Sequence, residues 1–80
     1  MPLPRFYFHL RNDLSADDEE GQELPTVEAA RTCAIQYAQD MTAASILEHS
    51  KINLHHRIEV SDGREVVLTV KFGDVVTVEG

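Results

Sequence analysis

The chain has 80 residues, enough for one small domain spanning 1–80 and too few for a second catalytic or regulatory module. Apolar residues make up 42% and charged residues 26%, near soluble globular averages and far from the hydrophobic depletion of disordered chains. Fourteen acids against seven bases leave a formal charge of -7, which repels polyphosphate and disfavours nucleic acid as a partner.

The opening stretch, MPLPRFYFHL, lacks the apolar run of about 7 to 15 residues and the cleavage site of an export signal. No window approaches the roughly 18 apolar residues of a membrane span, so no membrane association is expected. Cys33 is the single cysteine and cannot form an intrachain disulfide, which points to a reducing cytoplasm. A domain this small has little surface to bury, and homodimerisation is a candidate means of burying more.

In residues 5–10 the side chains alternate. Phe6, Phe8 and Leu10 fall on one side, Arg5, Tyr7 and His9 on the other, which predicts a half-buried strand. Residues 11–25 hold six of the fourteen acids with only Leu14 and Leu24 as anchors, and read as a solvated loop with at most one short extended piece. Thr26 after Pro25 is a good N-cap, and Glu28 suits the positive end of the helix dipole. The helix that starts there runs to about His49. Its apolar face collects Val27, Ala30, Cys33, Ala34, Tyr37, Ala38, Met41 and Ala44.

Two strands follow, with Ile58 and Val60 in the first and Val66, Leu68, Val70 and Phe72 in the second, all on even positions. That shared parity favours a three-residue loop, Ser61 to Gly63, pairing Val60 with Arg64 and Ile58 with Val66, with Gly63 in the left-handed region. Residues 75–78 are read as a short edge strand. The predicted fold class is α+β with the order β-α-β-β. It has a three- to four-stranded, mainly antiparallel sheet in the order 1-3-2, the first two strands parallel across a right-handed crossover, and one long helix on the even face.

Candidate chemistry is sparse. Asp17 to Glu20 lack the spacing of a calcium loop, and His49, His55 and His56 come with no cysteine pair that would suggest zinc. Cys33 sits mid-helix, away from any feature that would activate it even if His9 approached. No nucleophile elbow, phosphate-cradling glycine loop or paired metal-binding helix is present, so no catalytic, cofactor-binding or metal residue is assigned and the protein is read as non-enzymatic. What remains are surfaces. Arg5, Tyr7, His9, Arg57, Thr69 and Lys71 would gather on the outer sheet face. Ile46 and Leu47 lie near the end of a helix of about 33 Å that must overhang strands of about 20 Å. The expected function is a protein-interaction or regulatory module with an unidentified protein partner. The alternative is a small-ligand or metal-binding domain using the acidic loop with His9 or the His55–His56 pair.

The segments RFYFHLRND at 5–13, DDEEGQELPTVEAAR at 17–31 and IEVSDGREVVLTVKF at 58–72 together resemble a family of short, uncharacterised bacterial proteins. The matching positions are His9, Glu19, Glu20, Gly21, Leu24, Pro25, Gly63 and Arg64. The resemblance implies a small domain of unknown function and carries over no catalytic residue.

Overall fold

A computed structural model describes residues 3–12, 15–50 and 54–76. Strand β1 (Arg5–Arg11) is followed by a two-residue strand β2 (Gln22–Glu23), the helix α1 (Val27–His49), and strands β3 (Arg57–Ser61) and β4 (Val66–Lys71), the last running into a 3-10 turn at Phe72–Asp74. The α+β class and the single long helix on one sheet face are as expected.

The strand order is not. The sheet runs β2-β1-β3-β4 with every neighbouring pair antiparallel, so β3 rather than the apolar-rich β4 lies beside β1. The predicted order 1-3-2, with its parallel first pair, fails because the acidic segment is a return path rather than a simple loop. It runs back along β1 until Glu23 lies opposite Arg5, so α1 starts at the end of the sheet where β1 starts. The helix then carries the chain back across the sheet and β3 descends antiparallel to β1. The handedness rule governs crossovers between parallel strands and has no purchase here.

Thr26 caps the helix as predicted, its Oγ1 accepting the Ala29 N–H at 3.1 Å. The helix ends at Ser50, which adopts the left-handed conformation (φ 56°) and donates its N–H to Ile46 O. The buried helix face is narrower than predicted, comprising Ala30, Ala34, Ala38 and Thr42. These small residues let the helix axis lie close over Phe6, Ile58, Val60, Val70 and Phe72, the rest of the buried core. Val27, Tyr37, Met41 and Ala44, assigned to the core, are exposed instead. With the backbone this close to the sheet, the flanking positions stand at its rim. Tyr37 sits edge-on to Phe8 and its hydroxyl bonds Gln22 Oε1 at 3.1 Å.

The hairpin also departs from expectation. Val60 pairs with Leu68 and Ile58 with Val70, four positions beyond the predicted register. Asp62 explains the longer turn. Its N–H donates to Glu65 O, and its Oδ1 accepts the N–H groups of both Arg64 and Glu65. A bulge between this turn and Leu68 then inserts one residue, so Val66 faces Ser61 on the outer side and is half exposed. Even parity holds for Leu68 and Val70 and fails at Val66. Gly63 has the positive φ expected of it, 95°. Ahead of the strand predicted at 75–78, the chain leaves β4 through the 3-10 turn at Phe72–Asp74. Residues 75 and 76 are not in a strand, and 77–80 lie outside the described residues, as does Leu14.

Candidate interaction surface

Strand register arranges the outer sheet face in three rows. Tyr7, Ser61 and Val66 form the first, His9, Glu59 and Thr69 the second, and Arg11, Arg57 and Lys71 the third. The predicted surface residues Tyr7, His9, Arg57, Thr69 and Lys71 are therefore brought together. Arg5 lies at the edge, bonded to Glu20 O at 2.8 Å and Glu23 Oε1 at 3.0 Å.

The acidic segment neutralises much of this face, a coupling the sequence reading missed. Arg11 bonds Asp17 Oδ1 at 2.6 Å and Glu59 Oε1 at 2.8 Å, while Arg57 reaches Glu59 Oε2 at 3.3 Å. The Arg11 hydrogen bond is the main cause that holds both the Asp17 and the Glu59 carboxyls below their ordinary range, and the same contacts push the guanidinium up. The third cation of the row, Lys71, is exposed and makes no ion pair among the described residues.

Asp18 pins the segment down. Where the edge ladder is interrupted, its Oδ2 accepts the Phe8 N–H at 3.1 Å, replacing a backbone partner, and its Oδ1 accepts the N–H groups of Glu20 and Gly21. Burial alone would raise this carboxyl, but the three backbone donors, from Gly21, Phe8 and Glu20, outweigh it and the group is lowered. Its own N–H donates to His9 Nδ1 at 3.1 Å. The imidazole therefore acts as an acceptor there, and the approach of Asp17 to the same nitrogen at 3.6 Å is not an ion pair in that state. Gly21 has φ 69° and no room for a side chain. A Cβ would lie 2.8 Å from Arg5 Cγ, 2.9 Å from Phe6 O and 2.9 Å from Tyr7 Cε1. Gly63 approaches the opposite edge of the same ring, with a Cβ there 3.5 Å from Tyr7 Cε2. Two left-handed glycines from separate turns thus flank Tyr7.

A second surface lies at the helix end. The buried series Ala30, Ala34, Ala38, Thr42 continues to Ile46, where the helix outruns the sheet and exposure rises to 46%. Leu47 points elsewhere and is 86% exposed, and Leu54 in the following connection is 44% exposed. Residues 51–53, which follow this end in the chain, lie outside the described residues. Beneath it is an open groove of about 380 Å³ lined by Leu10, Met41, Thr42, His56 and Phe72 among others. Thr42 Oγ1 is buried with no hydrogen-bond partner among the described residues.

The residues considered for metal binding do not converge. His49 is exposed beside Glu48, His56 packs edge-on against Phe72, and among the described residues no three His, Cys, Asp or Glu side chains could hold one ion together. Cys33 is a partly buried free thiol on the helix. No described helix is long and apolar enough to cross a membrane.

A family model, described as a domain of unknown function (DUF6894), matches residues 5–73. The chain belongs to this family. Its match begins at Arg5 and ends at Gly73, so it spans β1, the acidic return, the helix and the hairpin that together build both surfaces. No curated protein and no solved structure matches the chain.

Sequence reasoning passed over Arg11 and Thr42, weighed Asp18 only as part of the acidic stretch, and placed Val66 on the core side. Arg11 continues the odd parity of its strand, and an aspartate three residues before a glycine is a turn signal, so Arg11 and the role of Asp18 carried a readable trace. Val66 depends on a bulge and Thr42 on the helix lying close to the sheet, neither of which has a local signature.

Proposed function

We propose that this domain is a non-enzymatic protein-interaction module that engages a protein partner through the projecting end of its helix. The observation that carries this reading is Leu47, a large apolar side chain left 86% exposed beside a partly exposed Ile46. Covering the two would stabilise a complex by about 2 to 4 kcal/mol before the costs of association. Polar groups that might have served chemistry are instead engaged in holding the fold. Asp17 and Asp18 bind Arg11 and backbone amides, and His9 accepts from Asp18. This favours the interaction reading over the ligand- or metal-binding alternative.

The test is affinity capture with the wild-type chain and with Ile46→Glu/Leu47→Glu, read by quantitative mass spectrometry, with matched melting curves as the control. A protein retained by the wild type and lost from an equally stable variant supports the reading. Identical captured sets would sink it.

A further inference from the structure

The third row of the outer face breaks a rule of sheet construction. Arg57 stands directly between Arg11 on one side and Lys71 on the other, and like charges in cross-strand register repel. Glu59 bonds both arginines and Asp17 bonds Arg11, which offsets two of the three charges. Nothing among the described residues offsets Lys71, and the Arg57 side chain is still 43% exposed. A chain with a formal charge of -7 has acids to place at such a position, yet it keeps a cation there. Local rules broken without a gain inside the subunit are expected where function requires them.

The first row supplies a different chemistry. Tyr7, flanked by Gly21 and Gly63, and Val66, turned outward by the bulge, form an uncharged and partly apolar strip around the small Ser61. Tyr7 and Arg11 are four positions apart along β1, so the strip and the cationic row lie about 14 Å apart.

We infer that the outer sheet face binds an acidic protein segment, one carboxylate seating at Lys71 and Arg57 and an apolar side chain over Tyr7 and Val66. The separation excludes a lone inorganic anion from satisfying both rows and matches side chains four residues apart on an extended peptide. The net negative charge disfavours a polyanion as the occupant, whereas a single carboxylate needs only the local field of two cations. The site is on the sheet and does not depend on the helix end.

Lys71→Glu separates function from folding. Removing the like-charge neighbour of Arg57 should leave the fold intact or raise its melting temperature, while the same change repels a carboxylate ligand. A random peptide library is selected on the full chain, and recovered peptides are measured against the wild type, Lys71→Glu and Leu47→Glu. The expected result is enrichment of Asp or Glu with an aromatic or aliphatic residue, affinity lowered about tenfold or more by Lys71→Glu, and no change in Leu47→Glu. Peptides without acidic enrichment, equal binding by Lys71→Glu, or no peptide recovered at about 100 μM would overturn the inference. So would oligo(dT) or anionic vesicles binding at Tyr7 and Lys71 in place of peptide. Peptides that depend on Leu47 alone would overturn it while leaving the helix-end reading in place.

Discussion

Gly21→Ala is the substitution on which the account of the acidic return rests. A Cβ at this position meets the Phe6 carbonyl oxygen at 2.9 Å, and that oxygen belongs to the backbone of β1, so the turn or the strand must move. The Arg5 Cγ contact at 2.8 Å can relax along a flexible side chain, but Tyr7 Cε1 at 2.9 Å belongs to a ring with Gly63 at its other edge. Left-handed backbone costs a non-glycine residue about 1 to 2 kcal/mol. Displacing the turn weakens the Asp18 bonds to Gly21 and Phe8, at about 1 kcal/mol each. Reduced freedom of the unfolded chain returns about 0.4 to 1 kcal/mol. The net loss is about 2 to 3.6 kcal/mol, against a total stability of about 4 to 12 kcal/mol for a chain of this length.

Gly63→Ala is the internal control. It carries comparable left-handed strain at φ 95°, but its nearest contact, 3.5 Å, is ordinary van der Waals distance, so the loss should stay near 1 kcal/mol. A bulkier Gly63→Val would exceed that. Urea unfolding followed by circular dichroism separates the pair. With a slope near 1 kcal/mol per molar for a small domain, Gly21→Ala should lower the midpoint by about 2 to 3.6 M and Gly63→Ala by about 1 M or less. Equal midpoints, or a wild-type midpoint in Gly21→Ala, would refute the close packing of this turn on β1.

Three further outcomes follow from particular contacts. Thr42→Val removes a buried hydroxyl that has no partner among the described residues and keeps the shape, so it should stabilise by about 1 kcal/mol, a rise of about 4 to 8 °C in a thermal melt. Ala34→Leu forces bulk between the helix and the sheet at a fully buried site and should cost about 1 to 3 kcal/mol, read by the same melt. Asp18 has a folded-state pKa below its unfolded value of about 3.9. Its contribution is therefore present above about pH 4 and disappears as pH falls through the lower, folded value. The urea midpoint of the wild type should drop across that window, and Asp18→Asn should show a shallower drop from a lower starting point.

The parts of this fold legible in the sequence are those set by local periodicity and capping. Thr26 and the run of helix formers placed α1 to within a residue, and alternation placed Phe6, Ile58, Val60, Leu68 and Val70 on the core side. What failed was set by contacts distant in the chain or by turns with several solutions. The path of residues 15–24 along β1 depends on Asp18 finding Phe8 and on Gly21 fitting against Tyr7, and neither pairing has a periodic signal. From that one misreading came the wrong strand order, because a chain that has already returned needs no parallel crossover. The hairpin register turned on Asp62 bonding two amides at once, which lengthened the loop and left the parity argument correct for only part of β4. Of the candidate surface, Lys71, Thr69 and Leu47 were readable as exposed residues. That Arg5 and His9 are tied to the acidic segment was not, since the partners are other loops.

Four of the residues on which the sequence resemblance rests serve this architecture, which changes where function should be sought. His9 and Gly21 close the turn that Asp18 organises, Leu24 packs against the core, and Gly63 provides the left-handed residue of the hairpin. Each is accounted for by a contact within the subunit, so a substitution there tests folding before it tests anything else. Lys71, Leu47 and Val66 are the reverse. All three are exposed, Leu47 almost fully, Val66 by half, and Lys71 as a cation beside another cation, and among the described residues no ion pair offsets Lys71. Replacing them with compatible polar or acidic residues should preserve or improve stability while removing the proposed binding. A stable but non-binding variant at these positions is therefore more informative about this domain than an inactive one at its recognisable motifs.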